Sequence, residues 1–448
     1  MSKPQCISNA QSNLFENRLS NLLNLDHPLI MLAKQIDWAS IERDVLPVFS
    51  NSRSGQPPKS IRLMVGLLMI QHMYRLSDEL VVSQWVENPY HQYFCGYDFM
   101  QWQFPINPSS MTRWRHKLGP EVLEKILGHT LAVAVKTEVA KEKDFEKVIA
   151  DTTVMEANIA YPTDGRLLNQ ALQKLVAVAK KEGVSLRQSY TRLGKQLEHQ
   201  ISRYAHAKQY KRVRKAVKKL KCYLGRVVRD IERNLLSDQQ RYFDPCLQLA
   251  KRLLDQEVKS KNKLYSLHAP HAYCIAKGKA RSPYEFGCKV ALVVSHKQGL
   301  VLSARALNTA QYDGHTLKDS IDHVQAISGI QVKRSFVDRG YRGHGIDDED
   351  CQVFISGQRR GVTPSIKQQL KRRSAIEPHI GHMKSDGKLR RCFLKGQQGN
   401  QLNALLCAIG HNLRMILNKL RDFLVLFWGM DICQIFFIPS RWTITLTA

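Results

Sequence analysis

Helical spacing of apolar residues dominates the first third of the chain. Three segments show it: 60–76, 78–88 and 110–127. A cap at Ser109 or Ser110 begins the third predicted helix, which is interrupted near Gly119 and Pro120. The stretch between the second and third helices is rich in aromatic residues, proline and asparagine, and is predicted to be a loop. Residues 1–135 are therefore expected to form a helical N-terminal domain.

The hydrophobic pattern changes after residue 143 and becomes strand-like. Five runs are predicted to be strands: 147–150, 285–294, 299–306, 331–337 and 351–356. Helical spacing returns at 316–327 and 400–420, and residues 166–262 are long, polar and helical. With that helical block set aside, the order of elements predicts an α/β core over 145–420 that carries a large helical insertion. The apolar C-terminal tail, 421–448, has no predicted role.

The net charge of the chain indicates what kind of molecule it binds. The 448 residues contain 67 Lys and Arg against 39 Asp and Glu, a net charge of +28, which favours a polyanion. A membrane is disfavoured because the N-terminus lacks the apolar run of a signal peptide and the best apolar run, 423–438, is interrupted by polar residues. The ten cysteines include no CxxC pair, so neither a zinc ribbon nor a disulfide framework is indicated, and a reducing cytoplasm is expected.

Two basic helices are candidates for contact with DNA. In the third predicted helix, Arg113, His116 and Lys117 share a face, whereas Trp114 and Leu118 point the other way. The candidate contacts there are Arg113, Arg115, His116 and Lys117, so residues 1–135 are predicted to be a helical N-terminal DNA-binding domain. The candidates in the insertion are Lys211, Arg212, Arg214, Lys215, Lys218 and Lys219. The alternative for each helix is a solvated basic face with no ligand.

Two aspartates stand where predicted strands end. Asp151 follows one strand-like run, and Asp338 follows another within the segment FVDRGYRGH. If the two strands are adjacent and parallel, their carboxylates lie side by side and need a cation between them. A divalent metal held in this way can bind a phosphodiester, and the nearby Arg339 and Arg342 are candidates for contact with DNA.

Glu377 is the candidate for a third acidic ligand. It lies among cations, so an ion-paired structural role is the alternative. In a continuous helix Arg373 and Lys384 would share its face, although Pro378 is typical of a helix start or a kink. A site of three carboxylates without a convincing histidine or cysteine set suits Mg²⁺ or Mn²⁺ better than zinc.

These motifs in combination resemble those of insertion-sequence transposases, most nearly the insertion-sequence-five family of DDE enzymes. The resemblance covers residues from about 40 to about 420. It is carried by the segments IADTTVMEANIAYPTD (149–164), YEFGCKVALVVSH (284–296), FVDRGYRGH (336–344), RRSAIEPHIGHMKSD (372–386) and LCAIGHNLR (406–414). The family's signature of Tyr, Arg, Glu and Lys falls on Arg373, Glu377 and Lys384, with Leu370 in place of the tyrosine.

The resemblance implies a ribonuclease-H-like core with a catalytic triad of Asp151, Asp338 and Glu377, assisted by Arg373 and Lys384. It implies an enzyme that uses Mg²⁺ or Mn²⁺, with two ions expected, to cut DNA at terminal inverted repeats and join the ends to target DNA. A homodimer or larger synaptic assembly in the prokaryotic cytoplasm, associated with the nucleoid, is expected. Two alternatives stay open: a catalytically inactive relic that still binds DNA, and a nuclease of the same fold that does not join strands.

Overall fold

The computed structural model describes residues 16–49, 59–236, 239–257, 259–278, 283–347 and 349–428. Residues 429–448 of the predicted C-terminal tail therefore lie outside the described residues, whereas 421–428 continue a helix. The described part has a mixed α/β fold, in which a helical N-terminal region precedes a mixed sheet. None of the described helices is both long enough and apolar enough to cross a membrane.

Seven helices form the N-terminal region. They are α1 (Leu19–Leu22), α2 (Pro28–Gln35), α3 (Trp38–Val45), α4 (Ile61–Met73), α5 (Asp78–Glu87), α6 (Pro89–Phe94) and α7 (Ser109–Lys136). Side-chain caps begin the two predicted helices α4 and α5, because Ser60 accepts from the N–H of Leu63 and Ser77 from that of Leu80. Both predicted helices are confirmed to within three residues at either end.

The predicted loop and the third helix differ from expectation in two details. Helix α6 lies inside the predicted loop, since Pro89 occupies its first turn and the side chain of Asn88 accepts two backbone N–H groups. The first N–H of α7 is bonded by Asn107, not by a serine cap. The interruption at Gly119 is confirmed by its φ of 72° and ψ of 175°, after which the helix runs on to Lys136.

Seven strands form one sheet. They are β1 (Lys147–Ala157), β2 (Tyr273–Ala276), β3 (Tyr284–Ser295), β4 (Val301–Leu307), β5 (Arg334–Val337), β6 (Gln352–Ile355) and β7 (Arg391–Cys392). The order across the sheet is β2-β3-β1-β5-β6, with β4 also on β3 and β7 also on β1. Strand β3 is antiparallel to β1, β2 and β4, whereas β5 and β7 run parallel to β1 and β6 parallel to β5. All five predicted strands are present.

The predicted insertion consists of four helices: α8 (Asp164–Lys181), α9 (Thr191–His206), α10 (Tyr210–Asn234) and α11 (Gln240–Asp255). They enclose a hydrophobic core of their own, built around residues such as Leu172, Leu220 and Leu224. The chain enters and leaves the insertion at neighbouring points, because a ring nitrogen of His268 lies 3.2 Å from the carbonyl oxygen of Asn158. The insertion is therefore a separately packed unit on the edge of the α/β core.

Four further helices complete the core: α12 (Leu317–Ser328), α13 (Pro364–Lys371), α14 (Ile376–Ser385) and α15 (Gly396–Trp428). Helix α15 is the central packing element, since it contacts α4 and α7 on one side and β4 on another. Buried residues of the N-terminal helices, of the sheet and of α15 form one continuous hydrophobic core. This core crosses the boundary that the hydrophobic pattern places near residue 135.

Candidate active site

Pairing of two parallel strands brings Asp151 and Asp338 together. Ile149 of β1 is opposite Phe336 of β5 in the last residue pair of this ladder, and Asp151 and Asp338 each follow two residues later. The negative charge of Asp338 acts on Asp151, so the two carboxylates lie near each other. The predicted parallel and adjacent arrangement is confirmed. One detail differs, because β1 does not end at Asp151 but continues to Ala157 along β3, where antiparallel pairing holds it. Only Asp338 stands at a strand end.

Asp338 caps the turn that follows β5. Its Oδ1 accepts from the N–H of Gly340 at 2.8 Å, which turns the backbone sharply into the short helix Arg339–Tyr341. A Cβ at Gly340 would lie only 3.0 Å from that same oxygen, so glycine is needed for the close approach. The side chains of Arg339 and Arg342 are exposed on either side of this turn.

The turn between β3 and β4 holds the segment that carries Glu377. A ring nitrogen of His296 lies 3.0 Å from the carbonyl oxygen of Gln369, and Arg372 donates to the carbonyl of His296 at 2.9 Å. Gly299, with φ of 81°, leaves no room for a side chain because the ring of His379 lies against it. These contacts position α14 against the sheet, with Glu377 in its first turn.

Arg373 joins the third carboxylate to the first. Its guanidinium lies 3.8 Å from Oδ2 of Asp151 and donates to Oε1 of Glu377 at 3.2 Å. The Glu377 side chain is 65% exposed, whereas that of Arg373 is only 16% exposed. Since α14 is continuous, Glu377 and Lys384 lie two turns apart on the same face. The predicted set is therefore brought to one region of the molecule, with an arginine between two of its carboxylates.

Electrostatics at the carboxylate pair favour an additional positive charge. The pKa of Asp151 is raised to about 6, chiefly by burial, with the negative charges of Asp338 and Asp313 acting in the same direction. The N–H of Thr152, which donates to Oδ1 at 2.7 Å, and the charge of Arg373 lower that pKa but do not compensate. A second cation beside the pair would stabilise both carboxylates in their charged form.

The donor set fits a hard divalent cation in its chemistry. Asp151 and Asp338 offer carboxylate oxygens at adjacent positions, which Mg²⁺ and Mn²⁺ prefer as ligands. Within the part of the chain that the structure describes, no group of three or more His, Cys, Asp or Glu side chains lies close enough to hold a metal ion. The carboxylate of Glu377 is instead bonded to Arg373. A third ligand from Glu377 would require its side chain to leave that arginine.

A fourth carboxylate, Asp313, was not predicted from the sequence. Its Oδ1 accepts from Oγ1 of Thr152 at 3.0 Å and from Nζ of Lys289 at 2.9 Å. A Cβ at Gly340 would lie 3.7 Å from its Oδ2 and 3.0 Å from Oδ1 of Asp338, so both carboxylates face the same small space. The segment around Asp313 has no metal-ligand spacing and no strand before it, so no sequence signal marks it.

Tyr341 is a second residue that the sequence reasoning did not select. Its side chain is 2% exposed and lies within the field of the three aspartates 151, 313 and 338. Burial raises the pKa of Tyr341 well above its ordinary value, and the nearby carboxylates act in the same direction. The phenol therefore stays protonated and can donate a hydrogen bond towards the carboxylates. Its place in the motif after Asp338 was the only available hint.

The predicted DNA-binding residues occupy several surfaces. In α7, Arg113, His116 and Lys117 are exposed, whereas Arg115 is 3% exposed and its guanidinium pairs with Asp78. The internal partner gives Arg115 a structural contact between α7 and α5. In α10 all six predicted cations are exposed: Lys211, Arg212, Arg214, Lys215, Lys218 and Lys219. The opposite face of α10 packs into the core of the insertion.

Two families of known proteins match parts of the chain. Residues 17–117 match the family "Transposase domain (DUF772)", and residues 339–417 match the family "Transposase DDE domain". The first match ends just before the kink of α7 at Gly119. The second begins directly after Asp338 and contains Glu377. A DDE domain implies, in general, dependence on a divalent metal ion and action on DNA.

One similar protein is known from another organism, and its description names no activity. A protein described as "Uncharacterized protein ORF8 in nfe locus", from Rhizobium meliloti, is 44% identical over 208 residues, which are 46% of this chain and 100% of that protein. No solved structure is significantly similar to the chain. The two family matches support the predicted DDE transposase.

Proposed function

We propose that the chain cleaves DNA at the terminal inverted repeats of an insertion sequence and joins the freed ends to target DNA. We assign it to the insertion-sequence-five family and its sheet to the ribonuclease-H-like class. The support for this class is the order β4-β3-β1-β5-β6, in which three antiparallel strands are followed by two that run parallel to β1. The N-terminal helices and the insertion surround that sheet.

One observation carries the proposal: Asp151 and Asp338 each stand two residues beyond the last residue pair of two adjacent parallel strands, and the charge of Asp338 acts on Asp151. Two partly buried carboxylates at adjacent positions are unfavourable unless a cation joins them. A purely DNA-binding protein with net charge +28 gains nothing from such a pair, because it repels phosphate. The pair is useful where a metal ion must be held against a phosphodiester.

Asp151, Asp338 and Glu377 would hold the divalent metal, Mg²⁺ or Mn²⁺, with two ions expected. When bound, the metal would supply Lewis-acid stabilisation of the phosphate and an activated nucleophile. Arg373 lies beside Asp151 and donates to Glu377, and its guanidinium is placed to pair with a phosphate oxygen once DNA enters. Tyr341 keeps its proton and orients the carboxylates.

The basic surfaces would hold the DNA around this centre. Exposed cations of α7 are proposed to read the terminal repeats in a groove, and the six cations of α10 to track phosphates of flanking or target DNA. Arg339 and Arg342 flank the turn after Asp338 and would contact the strand being cut. Since both element ends must be cut together, a homodimer or larger assembly is proposed, working in the cytoplasm on nucleoid DNA.

Substitution of each carboxylate tests the proposal. Asp151→Asn, Asp338→Asn and Glu377→Gln should each reduce cleavage of DNA that carries the element's own ends by about 10³-fold or more, because each removes a metal ligand. The affinity for that DNA should stay nearly unchanged, since every cation that meets a phosphate is retained. Asp255→Asn, an exposed carboxylate of the insertion, is the matched control and should cut normally. Normal cleavage by any of the three variants would remove that residue from the site.

Metal dependence separates an enzyme from a DNA-binding relic. Wild-type protein should nick its end DNA with Mg²⁺ or Mn²⁺, be inert with EDTA, and bind without cutting in Ca²⁺, which is larger and tolerates looser geometry. Binding without cleavage in every metal would favour the relic. Cleavage that never yields strands joined to a target would favour a nuclease of the same fold.

A further inference from the structure

A cleft between the N-terminal helices and the catalytic core lies beyond the carboxylates described above and shares Lys384 with their surroundings. It has a volume of about 790 Å³ and is lined by the end of α4, the start of α5, α7 and the segment that follows α14. The lining residues relevant to its chemistry are Arg75, Lys384, Lys388, Arg390, Arg391 and Phe393. This volume lies in the upper range of small-molecule sites and is large enough for a nucleotide.

The walls of the cleft are held in place by long-range hydrogen bonds. Arg75 donates to the carbonyl of Ser385 at 2.6 Å, and Nζ of Lys388 donates to the carbonyl of Leu76 at 2.7 Å. Arg414 donates to the carbonyl of His72 at 2.6 Å, near the C-terminal end of α4. Cations at a helix C-terminus are stabilising, so these contacts give the cleft a fixed shape before any ligand enters.

Charge in the cleft favours an anion. The carboxylate of Asp78 is neutralised by Arg115, and Arg391 is paired with Glu156 at 3.1 Å. The remaining cations outnumber Glu79, the other acidic residue of the lining. The side chain of Arg390 is exposed on the rim. The cleft therefore suits a phosphate backbone better than a neutral or cationic ligand.

An exposed aromatic ring adds a second recognition element. Phe393 is 66% exposed and lies in the lining, between β7 and α15, beside the arginines at 390 and 391. Cations next to an exposed aromatic ring are the combination that binds single-stranded nucleic acid, because any base can stack on the ring while the phosphates meet the cations. A fully paired duplex offers no free base to this ring.

Helix α14 connects the cleft to the catalytic carboxylates. Glu377 in its first turn and Lys384 in its last turn share a face, and Lys384 lines the cleft. Lys384 is seven positions after Glu377, which corresponds to about 10 Å along the helix. That is about three nucleotide steps at the spacing of 3.4 Å per nucleotide. A strand cut at the active site could therefore reach the cleft without a gap.

We propose that this cleft binds an unpaired segment of the DNA strand that the active site cuts, with one base stacked on Phe393 and its neighbouring phosphates on Arg75 and Arg390. The inference rests on the proposed function for the identity of the substrate. It adds that the protein prefers DNA whose strands are separated within a few nucleotides of the cleaved bond.

Binding of two DNA probes in EDTA tests this inference without any cleavage. One probe is a blunt duplex, and the other is the same duplex with a short unpaired overhang that contains 2-aminopurine. Wild-type protein should bind the overhang probe more tightly by roughly 5- to 100-fold, the range for stacking of one base on an aromatic ring. The fluorescence of 2-aminopurine should fall on binding.

Variants then show which residues cause the preference for the overhang probe. Phe393→Ala should abolish the preference and the fluorescence change, and Phe393→Trp should restore both. Phe104→Ala is the matched control, because Phe104 is also 66% exposed but lies outside the cleft. Arg390→Gln should reduce the salt slope on the overhang probe by about 0.7, whereas Lys34→Gln, on the exposed side of α2, should not.

The outcomes distinguish this inference from the proposed function. Equal affinity of wild-type protein for the two probes, or a preference that survives in Phe393→Ala, would overturn the cleft assignment while leaving DNA cleavage possible. An equal loss in Phe104→Ala and Phe393→Ala would also overturn it. If wild-type protein bound neither probe, the proposed function itself would fail.

Discussion

The N-terminal helices and the sheet share one hydrophobic core, whereas the inserted helices α8 to α11 enclose a second one. Both regions are helical and basic on their surfaces, and both are proposed to contact DNA. They differ in how they are attached. Helix α15 packs against α4 and α7 as well as against β4, so the N-terminal region cannot leave the sheet without exposing apolar surface.

The insertion has no such dependence. Its ends meet beside each other at Asn158 and His268, and its apolar residues pack among themselves. A region attached in this way can change its surface charge or its orientation with little effect on the catalytic sheet. The difference in attachment suggests that the N-terminal region positions DNA rigidly relative to the carboxylates, while the insertion adds a separately stable binding surface.

A cavity made in one of the two hydrophobic cores should destabilise only the part of the molecule that packs around that core. Leu413→Ala, in α15, should lower the free energy of unfolding of the N-terminal region and sheet together by about 2–5 kcal/mol, because Leu413 is fully buried in the core that they share. Leu224→Ala, in α10, should destabilise the insertion by a similar amount and leave the sheet unchanged. Calorimetry with hydrogen exchange would resolve the two units.

A deletion serves as the control for this pair. Replacing residues 160–266 with a short flexible linker should preserve the main unfolding transition, since the flanking residues already lie side by side. If Leu224→Ala shifted every transition equally, the two cores would form one cooperative unit and the contrast between them would be wrong.

Removal of the fourth carboxylate, that of Asp313, should affect the catalytic α/β core and leave the insertion unchanged. Asp313→Asn weakens the acceptor for Thr152 and Lys289 beside the catalytic pair. We expect cleavage and Mn²⁺ affinity to fall by about 10- to 100-fold, the usual effect of losing an outer partner of a metal site. Mn²⁺ binding can be followed by electron paramagnetic resonance. Asp319→Asn, on α12 and 62% exposed, is the control, and an equal effect of both substitutions would assign Asp313 no special role.

The raised pKa of Asp151 predicts a pH-dependent stability. The folded protein holds this proton more tightly than the unfolded chain, so the contribution to stability is complete below about pH 4 and is lost as pH rises through 6. In metal-free protein, Asp151→Asn should therefore be more stable than wild type by about 1–3 kcal/mol at pH 8, and equal to it near pH 4. Denaturant titrations at several pH values measure this difference.

A substitution of the same kind in the insertion is the control for Asp151→Asn. Asp255→Asn should change stability by no more than about 0.5 kcal/mol at either pH, because that carboxylate is exposed. A stabilisation of Asp151→Asn that did not vary with pH would show that charge is not its cause.

Neutralising the basic face of α10 should have the smallest effect on stability. The change replaces with glutamine the residues Lys211, Arg212, Arg214, Lys215, Lys218 and Lys219. The salt slope of DNA binding should fall by up to about 0.9 for each phosphate that the helix no longer neutralises, equally at all sequences, while the unfolding transitions move little. Lys34→Gln with Lys318→Gln, both exposed outside the insertion, gives a control of the same kind. An unchanged slope would make α10 a solvated face.

The local sequence determined most of the secondary structure and, within the candidate site, the pair Asp151 and Asp338. Caps at Ser60 and Ser77 and regular apolar spacing placed the helices, because these signals depend on neighbours within a few residues. Asp151 and Asp338 could be predicted as a pair, since each belongs to a strand whose apolar run is evident. Helix α6 was missed because aromatic residues and prolines outweighed the local cap at Asn88.

The tertiary structure decided which side chains face one another. Arg115 lies among exposed cations in the sequence, but its partner Asp78 is on another helix and draws it inward. Asp313 meets Thr152 across 161 residues, and Arg373 meets Asp151 from a segment that the turn between β3 and β4 holds in place. Hydrophobic periodicity reports only which face of an element is buried. The orientation of a charged group depends on partners far along the chain, which only the folded arrangement of the sheet supplies.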